Sequence, residues 1–238
     1  MTAGVRVKLC GLSGAADAVA AAFAGADYLG FVLAQGRRQV AAHDAALAMA
    51  AVRQAYEMER ESAAQAVLVM VDPTLDEAQR ALEVSGARHI QLAGDETPEL
   101  CDLLRTRTGC TVWKAWGVRG TDDDRRIADY VGAVDALMFD THRGGARGGT
   151  GIAFDWRALG PLRPLYGETP VVIAGGLTPE NVADLLALHR PFAVDVSSGI
   201  EEDGRKDPEK MRLFVQRVRS FRMNEANHEQ GSVTDVPG

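Results

Sequence analysis

The chain has 238 residues, of which 46% are hydrophobic and 25% charged, a profile typical of one globular domain with a sizeable core. A net charge of -7 argues against nucleic acid or an anionic membrane as the main partner, although a local pocket for one phosphate would not change that total much. No stretch reaches the roughly 20 apolar residues that span a bilayer, and residues 1–6 lack the apolar centre of a signal peptide. We therefore expect a cytoplasmic protein.

The cysteines and histidines do not form metal motifs. The three cysteines have neither CxxC spacing nor an even count, which disfavours a zinc site and a disulfide framework. Cys101 and Cys110 lie in patterns typical of small buried hydrophobic residues. Cys10 differs, because it ends the apolar run VRVKLC and Gly11 follows it directly in a turn. The five histidines show no ligand spacing, so we predict no metal.

Apolar runs and helical patterns alternate along the whole chain. The predicted strands are residues 5–10, 28–33, 66–71, 88–92, 111–116, 136–139, 171–174 and 192–196. The predicted helices are residues 15–24, 43–59, 75–84, 98–107, 122–130, 156–159, 179–188 and 208–221. The chain therefore consists of eight predicted strand–helix pairs.

Eight such pairs in a chain of this length predict an α/β fold, a single closed (β/α)8 TIM barrel. A doubly wound open sheet is the alternative, but no GxGxxG follows the first strand, as the nucleotide site of that fold requires. No linker rich in glycine or proline interrupts the series, so we assign residues 1–223 to one barrel domain. Residues 224–238 are polar and aperiodic, and we predict that they form a disordered tail.

Residues 137–156 place a carboxylate at the end of an apolar run and a glycine-rich loop after it. Asp140 follows the apolar residues 137–139, and five glycines lie within residues 144–151. Glycines let the backbone turn with positive φ and approach a ligand closely. A hairpin or an Asx-capped turn is the alternative for this segment taken alone. Within eight strand–helix pairs, the pattern favours an active-site loop.

Functional residues of a barrel lie at the carboxyl ends of its strands, and the loops after strands seven and eight usually bind phosphate through backbone N–H groups. The residues predicted at this mouth are Cys10, Arg38, Asp140, Gly175, Gly176, Ser197, Ser198 and Gly199. A glycine pair or a serine pair is a weak signal alone. Together, after the right two strands, they predict a phosphorylated small-molecule substrate.

Several motifs occur in order over residues 5–221. They are VKLCGL at 7–12, AGADYLGFV at 24–32, IQLAGDE at 90–96, FDT at 139–141, GGTGIAFDW at 148–156, AGGLTPENV at 174–182, DVSSGIE at 195–201 and KD at 206–207. In this order they resemble the phosphoribosylanthranilate isomerase family of tryptophan biosynthesis. The resemblance implies an isomerase that converts N-(5-phosphoribosyl)anthranilate to 1-(2-carboxyphenylamino)-1-deoxyribulose 5-phosphate by an Amadori rearrangement, without cofactor or metal.

The resemblance also implies roles for single residues. The family cysteine falls on Cys10 as general base, and the family aspartate at the end of strand six falls on Asp140 as general acid. The arginine that contacts the anthranilate carboxylate best matches Arg38, with Arg37 as the alternative. The predicted substrate-binding residues are Lys8, Arg38, Gly175, Gly176, Asp195, Ser197, Ser198 and Gly199.

The chemistry of the rearrangement suits these residue types. Opening the furanose ring needs a proton on the ring oxygen, which Asp140 can donate if an apolar strand end raises its pKa. Loss of the C2′ proton needs a base, and a cysteine deprotonated near a cation can serve. Strand alternation puts Lys8 and Cys10 on one face, so Lys8 would favour the thiolate. A solvated lysine near a strand end is the alternative for Lys8.

Two positions depart from the family pattern. Ala93 stands where the family has the histidine of QLHGDE, and Gln39 replaces the aromatic residue after the substrate arginine. One alternative function is therefore the same reaction on a different amino-linked ribose phosphate. Another is a catalytically silent barrel that acts as a binding protein, although the presence of both Cys10 and Asp140 speaks against it. The sequence is compatible with a monomer or a homodimer.

Overall fold

The computed structural model describes residues 4–56, 64–118, 122–141 and 156–231. Eight parallel strands in these residues close into a barrel in chain order, with β8 paired to β1. The strands are β1 (Arg6–Cys10), β2 (Tyr28–Val32), β3 (Gln65–Met70), β4 (His89–Leu92), β5 (Thr111–Val118), β6 (Ala136–Thr141), β7 (Val171–Ile173) and β8 (Ala193–Val196). The predicted (β/α)8 barrel is confirmed, and the open-sheet alternative is wrong.

Helices and short 3₁₀ segments connect the strands. The α-helices are α1 (Ala15–Phe23), α2 (Ala42–Tyr56), α3 (Leu75–Ser85), α4 (Pro98–Thr108), α5 (Arg163–Tyr166), α6 (Val182–Leu188) and α7 (Pro208–Gly231). The 3₁₀ segments are Asp122–Tyr130, Trp156–Leu162 and Ser198–Ile200. After the last of these, β9 (Glu201–Glu202) and β10 (Arg205–Lys206) form a small antiparallel hairpin beside the mouth of the barrel.

The strands are continuous apolar runs because both of their faces are buried. In β3, for example, Val67 packs inside the barrel and Leu68 packs between the sheet and the helices, and neither is exposed. The larger of the two cores therefore lies outside the barrel, under the helices. A smaller core, which includes Tyr28 and Trp113, fills the barrel interior.

Local sequence fixes the ends of the helices that follow β3 and β4. Thr74 begins α3 with a capping box in which its side chain and that of Glu77 bond reciprocally to the backbone. Thr97 caps α4 in the same position, and Pro98 occupies its first turn, where the missing N–H costs nothing. Each of these two helices ends at a left-handed glycine.

The helix predicted over residues 122–130 is present with those bounds as a 3₁₀ helix, Asp122–Tyr130. Among residues 124–130 the buried ones are Asp124, Ile127 and Tyr130, one every third residue. A 3₁₀ helix has three residues per turn, so it places all three side chains in one line, which an α-helix cannot do. Trp116 donates to Asp124 at 3.1 Å, which explains why a carboxylate lies on the buried side.

The last helix is longer than the sequence pattern predicts. α7 continues to Gly231 and so includes residues 224–231, which we expected in a disordered tail. These residues contain Glu, Ala and Gln, which favour helix, and no proline. Residues 232–238 lie outside the described residues, and the division of the chain at residue 223 stays a prediction. No helix within the described ranges is long and apolar enough to cross a membrane.

Candidate active site

Strand register brings a lysine and an aspartate together inside the barrel. Lys8 on β1 lies directly opposite Asp195 on β8, and its Nζ lies 2.8 Å from Oδ1 of Asp195. Lys8 is fully buried and the Asp195 side chain is 8% exposed. Lys8 is therefore not a solvated lysine, and the alternative interpretation of this residue is wrong. Burial alone would lower the pKa of Lys8, but the charges of Asp195 and Cys10 and hydrogen bonds to both raise it above its ordinary value.

Cys10 lies on the same inner face as Lys8, as strand alternation predicts. Burial raises the pKa of the Cys10 thiol above its ordinary value of 9.0, and the charge of Asp195 adds to this rise. The charges of Lys8 and Lys206 and a hydrogen bond to Lys8 lower that pKa, but not enough to offset burial. Lys8 thus favours the thiolate, while the protein as a whole favours the thiol.

A glycine on the neighbouring strand makes room for this thiol. Gly30 of β2 is paired with Cys10, and a Cβ added to Gly30 would lie 2.7 Å from Sγ and 2.9 Å from Cα of Cys10. Any larger residue at this position would displace the cysteine. The glycine in the AGADYLGFV motif therefore has a direct steric role at the site.

Asp140 lies at the carboxyl end of β6, where the apolar run ends, and its side chain is half-buried. It lines a cavity at the mouth of the barrel. The other lining residues are Arg38, Ala174, Gly175, Gly176, Leu177, Asp195, Val196, Ser197 and Ser198. The structure thus brings the predicted acid, the predicted arginine and most of the predicted phosphate-binding residues to one space. The glycine-rich loop after β6 and His142 lie outside the described residues.

The loops after β7 and β8 approach each other closely. Gly175 and Gly176 have φ angles of 88° and 66°, a region that favours glycine. A Cβ on Gly199 would lie 1.9 Å from the carbonyl oxygen of Leu177, so only glycine fits between the loops. Within the described residues, the backbone N–H groups of Gly175, Gly176, Ser198 and Gly199 have no acceptor. Four backbone donors are therefore available beside the cavity.

Asn181 supports the loop after β7, although we did not predict it as a site residue. Its Oδ1 accepts from the N–H of Thr178 at 2.8 Å, and its Nδ2 donates to the carbonyl of Gly176 at 2.9 Å. These two bonds hold the glycine turn in place. The signal was present in the sequence, since Thr and Asn around a proline are typical of side chain to backbone turns.

A carboxylate of the β9–β10 hairpin holds both candidate arginines. Nε of Arg38 lies 2.7 Å from Oε1 of Glu201, and Nη2 of Arg37 lies 2.5 Å from Oε2. Lys206 also contacts Oε1, at 3.0 Å. Arg38 lines the cavity, whereas the Arg37 side chain is 56% exposed, which favours Arg38 over Arg37 as the ligand of a substrate carboxylate.

Sequence reasoning missed Glu201 and Lys206 as site residues. Burial opposes ionisation of Glu201, but hydrogen bonds from Arg38, Lys206 and Arg37 lower its pKa to about 2. Burial lowers the pKa of Lys206, although Glu201 partly counteracts this effect. Lys206 donates to the carbonyl of Ser197 at 2.8 Å and so ties the hairpin to the loop after β8.

The two departures from the family pattern do not line the cavity. Ala93 is exposed, and its backbone N–H donates to the carbonyl of Met70. Gln39 is also exposed, and its side chain donates to the carbonyl of Leu33 within its own loop. Over the described ranges, no group of three or more histidines, cysteines or acids could hold a metal ion.

Comparison with known sequences points to one family. Residues 7–217 match the sequence profile of N-(5′-phosphoribosyl)anthranilate (PRA) isomerase. The N-(5′-phosphoribosyl)anthranilate isomerase of Brevibacillus brevis is 37% identical over 94% of this chain and 97% of its own length. The enzyme of the same name from Symbiobacterium thermophilum is 40% identical over 88% of this chain and 96% of its own.

Solved structures agree with the sequence comparison. The phosphoribosyl anthranilate isomerase of Thermotoga maritima superposes with a TM-score of 0.78 at 32% identity, and the match covers 91% of this chain and 99% of that one. A phosphoribosyl anthranilate isomerase in complex with reduced 1-(o-carboxyphenylamino)-1-deoxyribulose 5-phosphate matches with a TM-score of 0.74 at 31% identity and the same coverage. These neighbours share the whole barrel with this chain.

Proposed function

Because the chain belongs to the N-(5′-phosphoribosyl)anthranilate isomerase family, we propose that it converts N-(5′-phosphoribosyl)anthranilate to 1-(2-carboxyphenylamino)-1-deoxyribulose 5-phosphate in tryptophan biosynthesis. The observation that carries this proposal is the cavity at the mouth of the barrel. An acid (Asp140), a cation (Arg38) and a glycine turn all line it, so one space offers a group for each part of such a substrate.

Asp140 is the proposed general acid. Protonation of the ring oxygen by Asp140 breaks the bond between that oxygen and C1′, and the nitrogen lone pair forms the Schiff base. The position of Asp140 at the end of β6 supports this role, because it reaches the cavity while its apolar neighbours stay in the core. After the transfer Asp140 is a carboxylate, the conjugate base of the carboxylic acid that donated the proton.

Cys10 is the proposed general base. The Schiff base withdraws electrons from C2′, and the thiolate of Cys10 removes the C2′ proton to give an enolamine, which then tautomerises to the ketone. Lys8 supports the thiolate electrostatically, and Asp195 keeps Lys8 charged. Because burial raises the pKa of Cys10, only a small fraction of the free enzyme carries the thiolate at neutral pH.

The two ends of the substrate have separate anchors in this proposal. The phosphate accepts from the backbone N–H groups of Gly175, Gly176, Ser198 and Gly199, and the side chain of Ser197 lines the same cavity. The anthranilate carboxylate pairs with Arg38, whose Nη2 is buried and has no acceptor among the described residues. We propose that the enzyme needs no cofactor or metal, acts in the cytoplasm and is a monomer or a homodimer.

The direct test is to mix the purified protein with N-(5′-phosphoribosyl)anthranilate and follow the loss of substrate fluorescence. We expect kcat/KM within the usual enzyme range, about 10⁴ to 10⁸ M⁻¹s⁻¹, and no change after EDTA treatment. A value below roughly 10² M⁻¹s⁻¹ would overturn the proposed substrate. Loss of turnover with EDTA and recovery with zinc or magnesium would overturn the metal-free mechanism.

A further inference from the structure

We infer that Glu201 is a positioning residue for substrate recognition, and that Arg37 keeps one donor of Arg38 unpaired so that it can bind the anthranilate carboxylate. The inference deepens the proposed function and rests on it. Two arginines share the two oxygens of one buried carboxylate, that of Glu201. Neither Glu201 nor Arg37 needs to contact the substrate to hold Arg38 in this way.

The carboxylate of Glu201 joins loops that are far apart in the sequence. Its side chain is 7% exposed, and Arg38 and Lys206 both contact Oε1, at 2.7 and 3.0 Å. Arg37 contacts Oε2 at 2.5 Å. Three cations therefore surround one anion. Glu201 neutralises one of these positive charges, and the remaining charge favours an anionic ligand at this side of the mouth.

The guanidinium of Arg38 has little freedom to turn. It is a planar fork, so a hydrogen bond from Nε to Glu201 fixes the plane in which its terminal nitrogens lie. Its aliphatic part lies against the backbone of Gly11, since a Cβ added to that glycine would lie 2.5 Å from Cδ of Arg38. The aliphatic part of Arg38 therefore passes over Gly11, and its guanidinium is bound at the edge that carries Nε.

The second donor on this edge stays unpaired. Nη2 of Arg38 is buried and has no acceptor among the described residues. A carboxylate normally takes Nε and a terminal nitrogen of one arginine together, as a bidentate pair. Here Oε2 of Glu201 is bound to Arg37 instead, so the bidentate pair does not close. Arg37 therefore prevents Glu201 from occupying the donor that the substrate needs.

The first test compares two ligands in Glu201→Gln. The ligands are reduced 1-(2-carboxyphenylamino)-1-deoxyribulose 5-phosphate and its phenylamino counterpart, which lacks the carboxylate. We expect about tenfold weaker binding of the first ligand, because a charged hydrogen-bond donor loses its orientation, and a change within about twofold for the second. For turnover, KM should rise by a similar factor while kcat changes by less than about threefold.

Glu202→Gln is the matched control. Glu202 is the next residue on the same hairpin, its side chain is 62% exposed, and it contacts Lys210 on α7. We expect both ligands to bind this variant as they bind the wild type. If Glu201→Gln weakened the binding of both ligands equally, the substitution would have damaged the site in general. If it changed the binding of neither ligand, Glu201 would not position Arg38. Either result overturns the inference.

The second test does not depend on the folding of the Glu201 variant. In Arg37→Leu, Oε2 of Glu201 is released and can turn to Nη2 of Arg38. We expect the carboxylated ligand to bind several-fold more weakly, with the phenylamino ligand unchanged. Arg212→Leu, which removes a surface arginine paired with Glu209, is the control and should change neither ligand. Wild-type affinity in Arg37→Leu would overturn the role of Arg37.

These results are separable from the proposed function. If the wild type does not turn over N-(5′-phosphoribosyl)anthranilate, the function is wrong. If the wild type is active and Glu201→Gln behaves like Glu202→Gln, the function stands and only the positioning role is wrong.

Discussion

Two buried carboxylates near the carboxyl ends of the strands, Glu96 and Glu201, bind their neighbours in opposite ways. Glu96 accepts from the backbone N–H groups of Asp72 and Gly94 and pairs with Lys114 at 3.0 Å. Lys114 has three N–H donors, and it also contacts the carbonyls of Gly94 at 2.7 Å and Ala115 at 3.0 Å. Every donor of this ammonium therefore has an acceptor.

Around Glu201, by contrast, one neighbouring donor has no acceptor among the described residues. Arg37, Arg38 and Lys206 all contact Glu201, and Nη2 of Arg38 still has no acceptor in the described part of the chain. A fully matched network stabilises one arrangement of the backbone, whereas a network with a surplus donor can accept a ligand. The Glu96 network thus fixes the loops after β3 and β4, whereas the Glu201 network includes Arg38, which lines the cavity.

The largest expected effect is on stability, in the matched network. Lys114→Met leaves Glu96 buried without its cation, and breaking a buried ion pair in this way typically costs about 3 to 5 kcal/mol. We expect the free energy of unfolding in urea to fall by about this amount. Lys210→Met, which removes a half-buried lysine whose side chain is 40% exposed and pairs with Glu202, is the control and should change it by less than about 1 kcal/mol. Equal effects would show that the Glu96 network has no special structural role.

The next largest effect should be on turnover, when the proposed base or the proposed acid is substituted. Cys10→Ala and Asp140→Asn should each lower kcat by more than about 10²-fold, as loss of a general acid or base does. We expect the free energy of unfolding to change far less in these two variants than in Lys114→Met. Steady-state kinetics and urea denaturation on the same preparations measure both. Near-wild-type kcat in either variant would remove that residue from the mechanism.

A substitution in the glycine turn should affect binding more than turnover. Valine at Gly176 adds a side chain where φ is 66°, so Gly176→Val should move the backbone donors and raise KM by about tenfold or more. Gly167→Val imposes similar strain at φ 53° at the end of α5, outside the cavity lining, and is the matched control. A similar KM in the two variants would speak against phosphate binding at the turn after β7.

The dependence of activity on pH tests the state of Cys10. A base must be deprotonated to act, and burial raises the pKa of this thiol above 9.0, so the active fraction increases as pH rises towards that pKa. In Asp140→Asn, where the proposed acid no longer titrates, we expect the residual kcat/KM to increase between pH 7 and pH 9, by at most about tenfold per pH unit, as for one ionising group. A profile that is flat from pH 7 upwards would mean that the reacting base is already ionised.

The smallest effect should come from the departure at residue 93. Ala93 is exposed and does not line the cavity beside Asp140. We therefore expect Ala93→His to change kcat/KM for the anthranilate substrate by less than about threefold, the range typical of surface substitutions. A large increase would instead indicate that this chain has been reshaped for another amino-linked ribose phosphate.

The sequence by itself determined where along the chain the strands end and which candidate reactive side chains stand at those ends. The apolar runs before Cys10 and Asp140 are continuous because strands of a closed barrel are buried on both faces, so the first polar residue after each run marks a strand end. The helix caps at Thr74 and Thr97 likewise depend only on residues a few positions away in the sequence. Local patterns therefore predicted the barrel and placed the candidate site residues at the ends of its strands.

Only the tertiary structure decided which side chains meet. Lys8 and Asp195 are 187 residues apart and pair because barrel closure sets β1 and β8 in register. Arg38 and Glu201 are 163 residues apart, and their contact depends on two loops that no local pattern relates. The net rise in the pKa of Cys10 has the same origin, because burial in the closed barrel outweighs the neighbouring lysine. Periodicity encodes which face of an element is buried, but pairing between loops depends on how the closed barrel positions them.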